Sequence, residues 1–234
     1  MKTMLFMSII ILTVLITSTG CLQDDSSSNG QAITADNTPR AQDTGKNSPH
    51  YNVVKKRYEN HDKLFYPQAE NYKSELLTGY INQSLIKIAK KYSDKSKYKN
   101  VDLDYELTRM DKDILSVLYK GTAYMEGIGC INIQESINLD MKDSTNEIDY
   151  ENIIKDNEEA RHRVRERLDE EAVNIGIEYG LEAEGIRVYF DGKDTIVFFY
   201  MPLDDTAREF VELKIPKKDI KAYLNRDFGE SPIS

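Results

Sequence analysis

Hydrophobic residues recur at regular intervals between residues 51 and 228, and their spacing predicts a folded body of strands and helices. Alternating or continuous short apolar runs predict strands at residues 51–65, 101–107, 114–119, 131–139, 186–190, 195–200 and 210–215. Apolar residues three or four positions apart predict three helices: from a cap at Asn71 or Ser74 to Tyr92, from a cap at Asp156 to Gly180, and from Pro216 to Leu224.

The order of these elements predicts the fold class. Strands outnumber helices, and the helices fall between groups of strands, so we expect an α+β fold of mostly antiparallel sheet with two main helices packed on one face. The segment Asp191-Gly192-Lys193-Asp194 predicts a hairpin turn, and Pro67 is expected to end the first strand region. We divide the body into an N-terminal α+β part, residues 51–145, and a C-terminal helix–hairpin–strand part, residues 146–228.

The first twenty residues have the pattern of a secretory leader. A positively charged start precedes 13 largely apolar residues from Met4 to Ile16. As a helix this stretch would span roughly 20 Å, less than the hydrocarbon layer of about 30 Å, so a cleaved leader is favoured over a permanent span. One alternative at this point is an ordinary signal peptide, with the cysteine that follows it incidental.

The residues Ser18-Thr19-Gly20-Cys21 resemble the lipobox of bacterial lipoproteins, although that family prefers leucine at the position of Ser18. The resemblance implies cleavage before Cys21, lipid attachment to the Cys21 thiol, and a location on the outer face of the bacterial cytoplasmic membrane. Residues 21–50 are rich in Ser, Asp, Asn, Thr and Gly, which predicts a disordered tether with an end-to-end distance of roughly 30 Å.

Composition excludes several classes of protein. The 234 residues include 31 Lys and Arg against 40 Asp and Glu, a formal net charge of −9. That balance argues against nucleic-acid binding, which needs a basic surface. Two cysteines and no tryptophan exclude a disulfide-dense scaffold, so stability must come from a packed core.

Side chains that often carry chemistry are sparse. The histidines, His50, His61 and His162, have no metal-ligand spacing, and we predict neither a metal site nor a cofactor. Cys130 has no neighbouring base in the sequence, which favours a buried, unreactive thiol over a nucleophile.

Acidic, basic and aromatic residues leave alternatives open. Asp102, Asp104 and Glu106 share one strand face, and Asp204-Asp205 follow Pro202; such carboxylates are usually only a solvated surface, but they could serve a glycan hydrolase or bind calcium weakly. The basic run at residues 161–167 is best explained by i, i+4 ion pairs with surrounding acids, Glu159 with Arg163 and Arg167 with Glu171.

Four tyrosines could form a ligand platform, but their strand positions favour ordinary packing: Tyr119, Tyr124, Tyr189 and Tyr200.

Several short motifs in the body occur in the order found in a known domain. They are Tyr66-Pro67, Ile81-Asn82, residues 114–117 with Gly127, residues 138–140, residues 188–192, residues 198–202 and residues 213–216. In this respect the region from about Tyr66 to Leu224 resembles the extracytoplasmic domain of unknown function of PdaC-type peptidoglycan deacetylases and RsiV-type anti-sigma factors, the latter of which sense lysozyme.

The chain also departs from that domain's usual context. It has no deacetylase domain and no sigma-binding segment, and residues 207–210 read Ala-Arg-Glu-Phe where the family has a glycine. The resemblance therefore implies a non-catalytic binding or sensing module of the cell envelope, with a lysozyme-like basic protein or peptidoglycan as its ligand. A carboxylate-based glycan hydrolase and a structural envelope scaffold are the alternatives.

Overall fold

The structure, a computed structural model, describes residues 50–142, 146–177, 185–202 and 209–229. The eight strands of these ranges form antiparallel ladders and are accompanied by five α-helices, which confirms the predicted α+β class. The predicted leader, Cys21, the tether up to residue 49, Gly180, and Asp204-Asp205 lie outside the described residues.

The body begins with a hairpin of β1 (Asn52–Arg57) and β2 (Phe65–Glu70). Pro67 was expected to end the strand region, but it lies inside β2, opposite Lys55. The reason is the alternating direction of backbone groups in a strand. At Ala69, two residues later, the N–H and C=O both bond to Asn82 on the side away from β1, so the missing N–H of Pro67 faces the same way and removes no bond of the ladder.

Two consecutive helices, α1 (Glu75–Leu85) and α2 (Lys87–Tyr92), occupy the region where one helix was predicted. Of the two predicted caps, Ser74 is the one used, since its hydroxyl accepts a hydrogen bond from the Leu77 N–H at 3.3 Å. The apolar positions that predict this helix are Leu77, Ile81, Leu85, Ile88 and Tyr92, and all but Leu77 are buried. The side-chain amide of Asn82, on α1, pairs with the backbone of Ala69 at 2.7 and 3.0 Å and so joins the helix to the edge of β2.

A three-stranded meander follows, formed by β3 (Tyr98–Met110), β4 (Ile114–Met125) and β5 (Gly129–Asp140). Gly121 on β4 lies opposite Leu103 beside a bulge in β3. A Cβ atom at this position would overlap the carbonyl oxygen of Asp102 and lie 2.9 Å from the Cα of Leu103, so the close approach of the two strands requires glycine.

The C-terminal part consists of α3 (Tyr150–Ile153), α4 (Glu158–Asn174), β6 (Arg187–Asp191), β7 (Thr195–Tyr200), β8 (Val211–Pro216), α5 (Lys217–Ile220) and a 3₁₀ turn, Lys221–Tyr223. The predicted hairpin at residues 191–194 joins β6 to β7. The cap of α4 is Asn157, not the predicted Asp156. Asn157 accepts a hydrogen bond from the Ala160 N–H at 2.8 Å, while the Asp156 carboxylate pairs with Arg161.

The described residues form three apolar cores. The first joins the hairpin, α1 and α2 to one face of the β3–β5 sheet, and the second lies between α4 and one face of the β6–β8 sheet. A smaller core between the two sheets contains Leu118, Tyr189, Val197 and Phe199. The two main helices therefore cover different sheets, each on one face, and the sheets meet on their other faces.

Polar side chains also cross the junction between the two sheets. Asn138 on β5 is 2% exposed; its Oδ1 accepts from the Ser116 hydroxyl at 2.7 Å, and its Nδ2 donates to the Val188 carbonyl at 2.7 Å. Ser116 in turn accepts a hydrogen bond from the Phe190 N–H at 3.0 Å. These bonds fix the position of β6 on the meander, because each buried polar group has a specific partner.

Candidate functional site

An open cleft lies beside the small core between the sheets and has a volume of about 340 Å³. Its lining comes from β4, β5 and the segment leading into β8: Lys120, Gly121, Asn132, Ile133, Gln134, Glu209, Phe210 and Glu212. Lys120 pairs with Gln134 across β4 and β5, so their side chains project from the same face of the sheet. Two positions earlier on β4, the same face is buried at Leu118. The cleft therefore opens where apolar contact between the sheets gives way to polar side chains.

Glu212 lies at the centre of this polar group. One carboxylate oxygen accepts hydrogen bonds from Lys120 Nζ at 3.1 Å and from Gln134 Nε2 at 2.7 Å, and the other accepts from the Tyr189 hydroxyl at 3.2 Å. These donors come from β4, β5 and β6, so the site exists only when both sheets are assembled. The Glu212 side chain is 24% exposed, whereas that of Lys120 is 52% exposed.

The environment of Glu212 keeps it ionised. Partial burial alone would raise the pKa of the Glu212 carboxyl, but hydrogen bonds from Lys120, Gln134 and Tyr189 and the charge of Lys120 outweigh it and hold the pKa below its ordinary value of 4.5. Burial and the nearby Glu212 charge raise the pKa of the Tyr189 phenol well above its ordinary value. At neutral pH Glu212 is therefore a carboxylate and Tyr189 is a neutral phenol.

This arrangement is suited to binding. A general acid needs a raised pKa at neutral pH, and the pKa of Glu212 is lowered instead. A carboxylate with three fixed donors remains a strong acceptor at the border of an open cleft, and the amide of Gln134 adds further hydrogen-bonding capacity. Phe210, which packs against Phe199 with ring centroids 6.1 Å apart, adds an aromatic surface to the cleft lining.

The predicted carboxylates Asp102 and Asp104 lie on the same face of the β3–β5 sheet as the cleft. Register places Asp104 opposite Lys120, and Asp102 opposite Thr122. Both are exposed and each is paired with a lysine of the first hairpin region: Lys63 with Asp102 at 3.1 Å and Lys55 with Asp104 at 2.5 Å. The structure thus brings these acids to the surface beside the cleft as ion-paired groups.

The other polar residues singled out from the sequence lie elsewhere. His50 and His61 are at or near the surface, and His162 on α4 lies 3.3 Å from Glu166. The predicted ion pairing of the basic run is confirmed by Arg167 and Glu171 at 3.1 Å, while Arg163 pairs with Glu166 instead of the expected Glu159. Within the described residues no group of three or more His, Cys, Asp or Glu side chains could hold a metal ion.

The four tyrosines do not form an exposed platform. Tyr119, Tyr189 and Tyr200 are buried, which confirms packing, and only Tyr124 is exposed. Tyr119 donates to the Leu85 carbonyl at 2.5 Å and thereby links β4 to α1. Their main role is structural, although Tyr189 also donates to the Glu212 carboxylate at the cleft.

The prediction of a buried thiol at Cys130 was wrong. Cys130 lies at the exposed start of β5, next to the turn at residues 126–128, where its side chain projects from the ladder. It is disulfide-bonded. The sequence contains one other cysteine, Cys21. A thioether at Cys21 would leave its sulfur unable to form a disulfide, so lipid attachment there and an intrachain disulfide at Cys130 exclude each other.

The central residues of the cleft were not identified from the sequence. Lys120 and Glu212 are 92 positions apart, and Gln134 and Glu212 are 78 apart, so no local spacing relates them. One signal was present: Lys120 directly follows the apolar run 114–119, which marks the end of the buried part of the strand.

Comparison with known proteins finds solved structures of similar fold. No protein-family model and no curated protein sequence matches the chain. A solved structure of a DUF3298 family member from Bacteroides fragilis matches with a TM-score of 0.55 and 15% sequence identity, covering 78% of this chain and 96% of that one. A DUF3298 family protein from Pseudomonas aeruginosa matches with a TM-score of 0.49 and 9% identity, covering 79% and 96%. The first of these matches shows that the chain has the fold of a DUF3298 family member.

Proposed function

We propose that this chain is a lipid-anchored cell-envelope protein whose body is a non-catalytic module that binds an extracytoplasmic ligand in the cleft at Glu212. Because one sulfur cannot carry both bonds, acylation of Cys21 takes the place of an intrachain disulfide in the mature protein. The observation that carries the proposal is the Glu212 carboxylate, held by donors from three strands at the border of an open cleft. Because these donors fix the polar groups before any ligand arrives, little ordering is needed on binding.

The ligand is a lysozyme-like basic protein or peptidoglycan. A basic protein is supported by the net charge of −9, which becomes more negative by one when a leader containing Lys2 is removed. Such a charge steers cationic partners and makes their association sensitive to salt. Peptidoglycan is supported by the hydrogen-bonding side chains and the Phe210 ring that line the cleft.

Retention of the full-length chain on immobilised lysozyme and on insoluble peptidoglycan, at low and high salt, tests the proposal. We expect one ligand to retain the chain, and Glu212→Gln to reduce that retention at least fivefold by weakening the charged centre of the cleft. Glu170→Gln, at an exposed position of α4, is the matched control. Failure of both ligands to retain the chain, or equal retention of the two variants, would contradict the proposal.

Two further measurements address the anchor and the enzyme alternative. Intact mass spectrometry of the protein purified from membranes should find residues 1–20 absent and Cys21 acylated; an unmodified Cys21 or an intrachain disulfide would remove the anchor from the proposal. Cell-wall zymography should show no clearing by the wild-type chain. Clearing that is lost in Asp102→Ala or Asp104→Ala would establish the hydrolase in its place.

A further inference from the structure

The outward face of α1 and α2 has a pattern that differs from every other described helix. Backbone hydrogen bonds from Ile86 to Asn82 and from Lys90 to Ile86 carry the helical path through Ile86, so the two helices can be treated as one. We define the outer stripe as the residues of this path that face away from the buried stripe: Leu76, Tyr80, Gln83, Lys87 and Lys90.

The first half of the outer stripe is apolar although it is exposed. Leu76 is 68% exposed and Tyr80 is 51% exposed, one helical turn apart. Exposed apolar residues are common singly, but here they continue directly into a row of lysines along the same line. An apolar and aromatic end followed by cations is the arrangement found on helices that lie in a membrane interface.

The second half of the outer stripe is strongly basic. Residues 87–99 contain six lysines and one aspartate, within a chain whose net charge is −9. Four of these lysines, Lys87, Lys91, Lys97 and Lys99, are ion-paired, with Glu147, Glu135, Asp94 and Glu126 respectively. Lys90 and Lys95 have no ion-pair partner among the described residues, and both are exposed. This end of the molecule is therefore complementary to an anionic surface.

The position where the chain enters the body points to the identity of that surface. Tyr51, at the end of the predicted tether, packs edge-on against Tyr72 with ring centroids 5.6 Å apart. Tyr72 is followed two residues later by the Ser74 cap and then by Leu76. The segment that would lead to the anchor thus joins the body beside the apolar end of the outer stripe.

We infer that the outer stripe is a second membrane contact, which rests on an anionic phospholipid bilayer. Leu76 and Tyr80 lie at the level of the headgroups, and the lysines at positions 87–95 bind lipid phosphates. This inference rests on the proposed lipid anchor, which keeps the body near the bilayer. Attachment by both contacts would fix the orientation of the body and leave the Glu212 cleft, on the opposite sheet face, turned away from α1 and α2.

Lysine footprinting of the full-length chain on vesicles tests the inference. The chain is bound to vesicles of pure phosphatidylcholine or of phosphatidylcholine with phosphatidylglycerol, treated with a membrane-impermeant acetylating reagent, and analysed by mass spectrometry. Acetylation of Lys90 and Lys95 should fall at least fivefold on the anionic vesicles relative to the neutral ones, since each lysine near an anionic surface contributes about a fivefold effect. The exposed lysines Lys214 and Lys218, on β8 and α5, should not change.

A variant pair supplies the second arm. In Lys90→Gln/Lys95→Gln, hydrogen exchange of residues 75–92 should become equal on the two kinds of vesicle, whereas Lys214→Gln/Lys218→Gln should keep the protection seen for the wild type on anionic vesicles. Equal footprints of the wild type on both vesicles would overturn the inference. Protection of the same lysines by soluble polyphosphate without vesicles, unchanged when vesicles are added, would also overturn it.

Failure of the anchor and failure of this contact give different results. Without lipid attachment, less chain is recovered on both kinds of vesicle. If only the outer stripe is misassigned, recovery is unchanged, and the footprints of the bound chain become identical.

Discussion

Removal of the Asn138 side chain should weaken the junction between the two sheets more than any exposed substitution. In Asn138→Ala, the Ser116 hydroxyl loses its acceptor and the Ile148 carbonyl loses the Nδ2 donor at 3.1 Å. The Val188 carbonyl keeps a second donor, the Ser136 hydroxyl at 2.7 Å. Two buried polar groups are therefore left without these partners.

The size of the effect follows from that count. An unsatisfied buried polar group costs about 1–3 kcal/mol, so Asn138→Ala should lower the free energy of unfolding by about 3 kcal/mol. Urea unfolding followed by far-ultraviolet circular dichroism measures it. Asn132→Ala is the matched control, because Asn132 lies on the same strand and face but is exposed, where substitutions usually change stability by no more than about 0.5 kcal/mol.

A double-mutant cycle with Ser116→Ala separates the link from the loss of volume. The hydrogen bond between the two side chains should appear as a coupling energy of about 1 kcal/mol. If Asn138→Ala were less than about 1 kcal/mol less stable than the wild type, or if the coupling were absent, the polar junction would not hold the sheets together as argued.

Three other substitutions probe separate features. Glu212→Gln should lower the free energy of unfolding at pH 7, and the difference from wild type should shrink in acid. Folding lowers the pKa of the Glu212 carboxyl, so the carboxylate stabilises the fold above its ordinary pKa of 4.5 and loses that contribution as the pH falls through its folded pKa. An unchanged difference at pH 3 would argue against an ionised Glu212 that stabilises the fold. Gly121→Ala should cost about 1–3 kcal/mol because its methyl group meets the β3 backbone. Gly79→Ala on α1, where nothing lies within 4 Å, should be neutral or stabilising, and urea unfolding of both variants measures the difference. Asn82→Leu should cost about 2 kcal/mol and increase hydrogen exchange at Ala69, and equal exchange in the two proteins would show that the amide pairing is dispensable.

Periodicity in the sequence was sufficient for most elements of the fold. The strands near residues 101–107 and 131–139 and the hairpin at residues 191–194 are present, because alternation and turn residues act over a few positions. Predictions failed where a distant partner or the backbone conformation decided the outcome. Pro67 remains within a strand because its missing N–H faces away from β1, on the edge where the Asn82 side chain binds Ala69. Asn157, one position after Asp156, has the extended backbone of the N-cap and caps α4 instead.

The cleft could not have been predicted in the same way. Its charged centre joins strands that are far apart in the sequence, and the pairing of Lys120 with Glu212 depends on how one sheet is placed on the other. Alternation identifies which face of a strand is solvated, but it does not say which other strand that face meets. Cys130 illustrates the same limit, since its exposure reflects its position at the start of β5 beside the turn rather than the apolar residues around it.

The amide clamp of Asn82 on Ala69 has a consequence for self-association. Unpaired strand edges recruit strands from other molecules, a hazard that grows when proteins are crowded on a surface. In the first hairpin one edge has its backbone donor and acceptor at Ala69 engaged by a helix side chain, and the other strand carries three consecutive cations at Lys55, Lys56 and Arg57. Strand addition to this hairpin is thus blocked on one side by occupancy. On the other side it is opposed by the cost of burying charged side chains, two of which are held by Asp104 and Asp62.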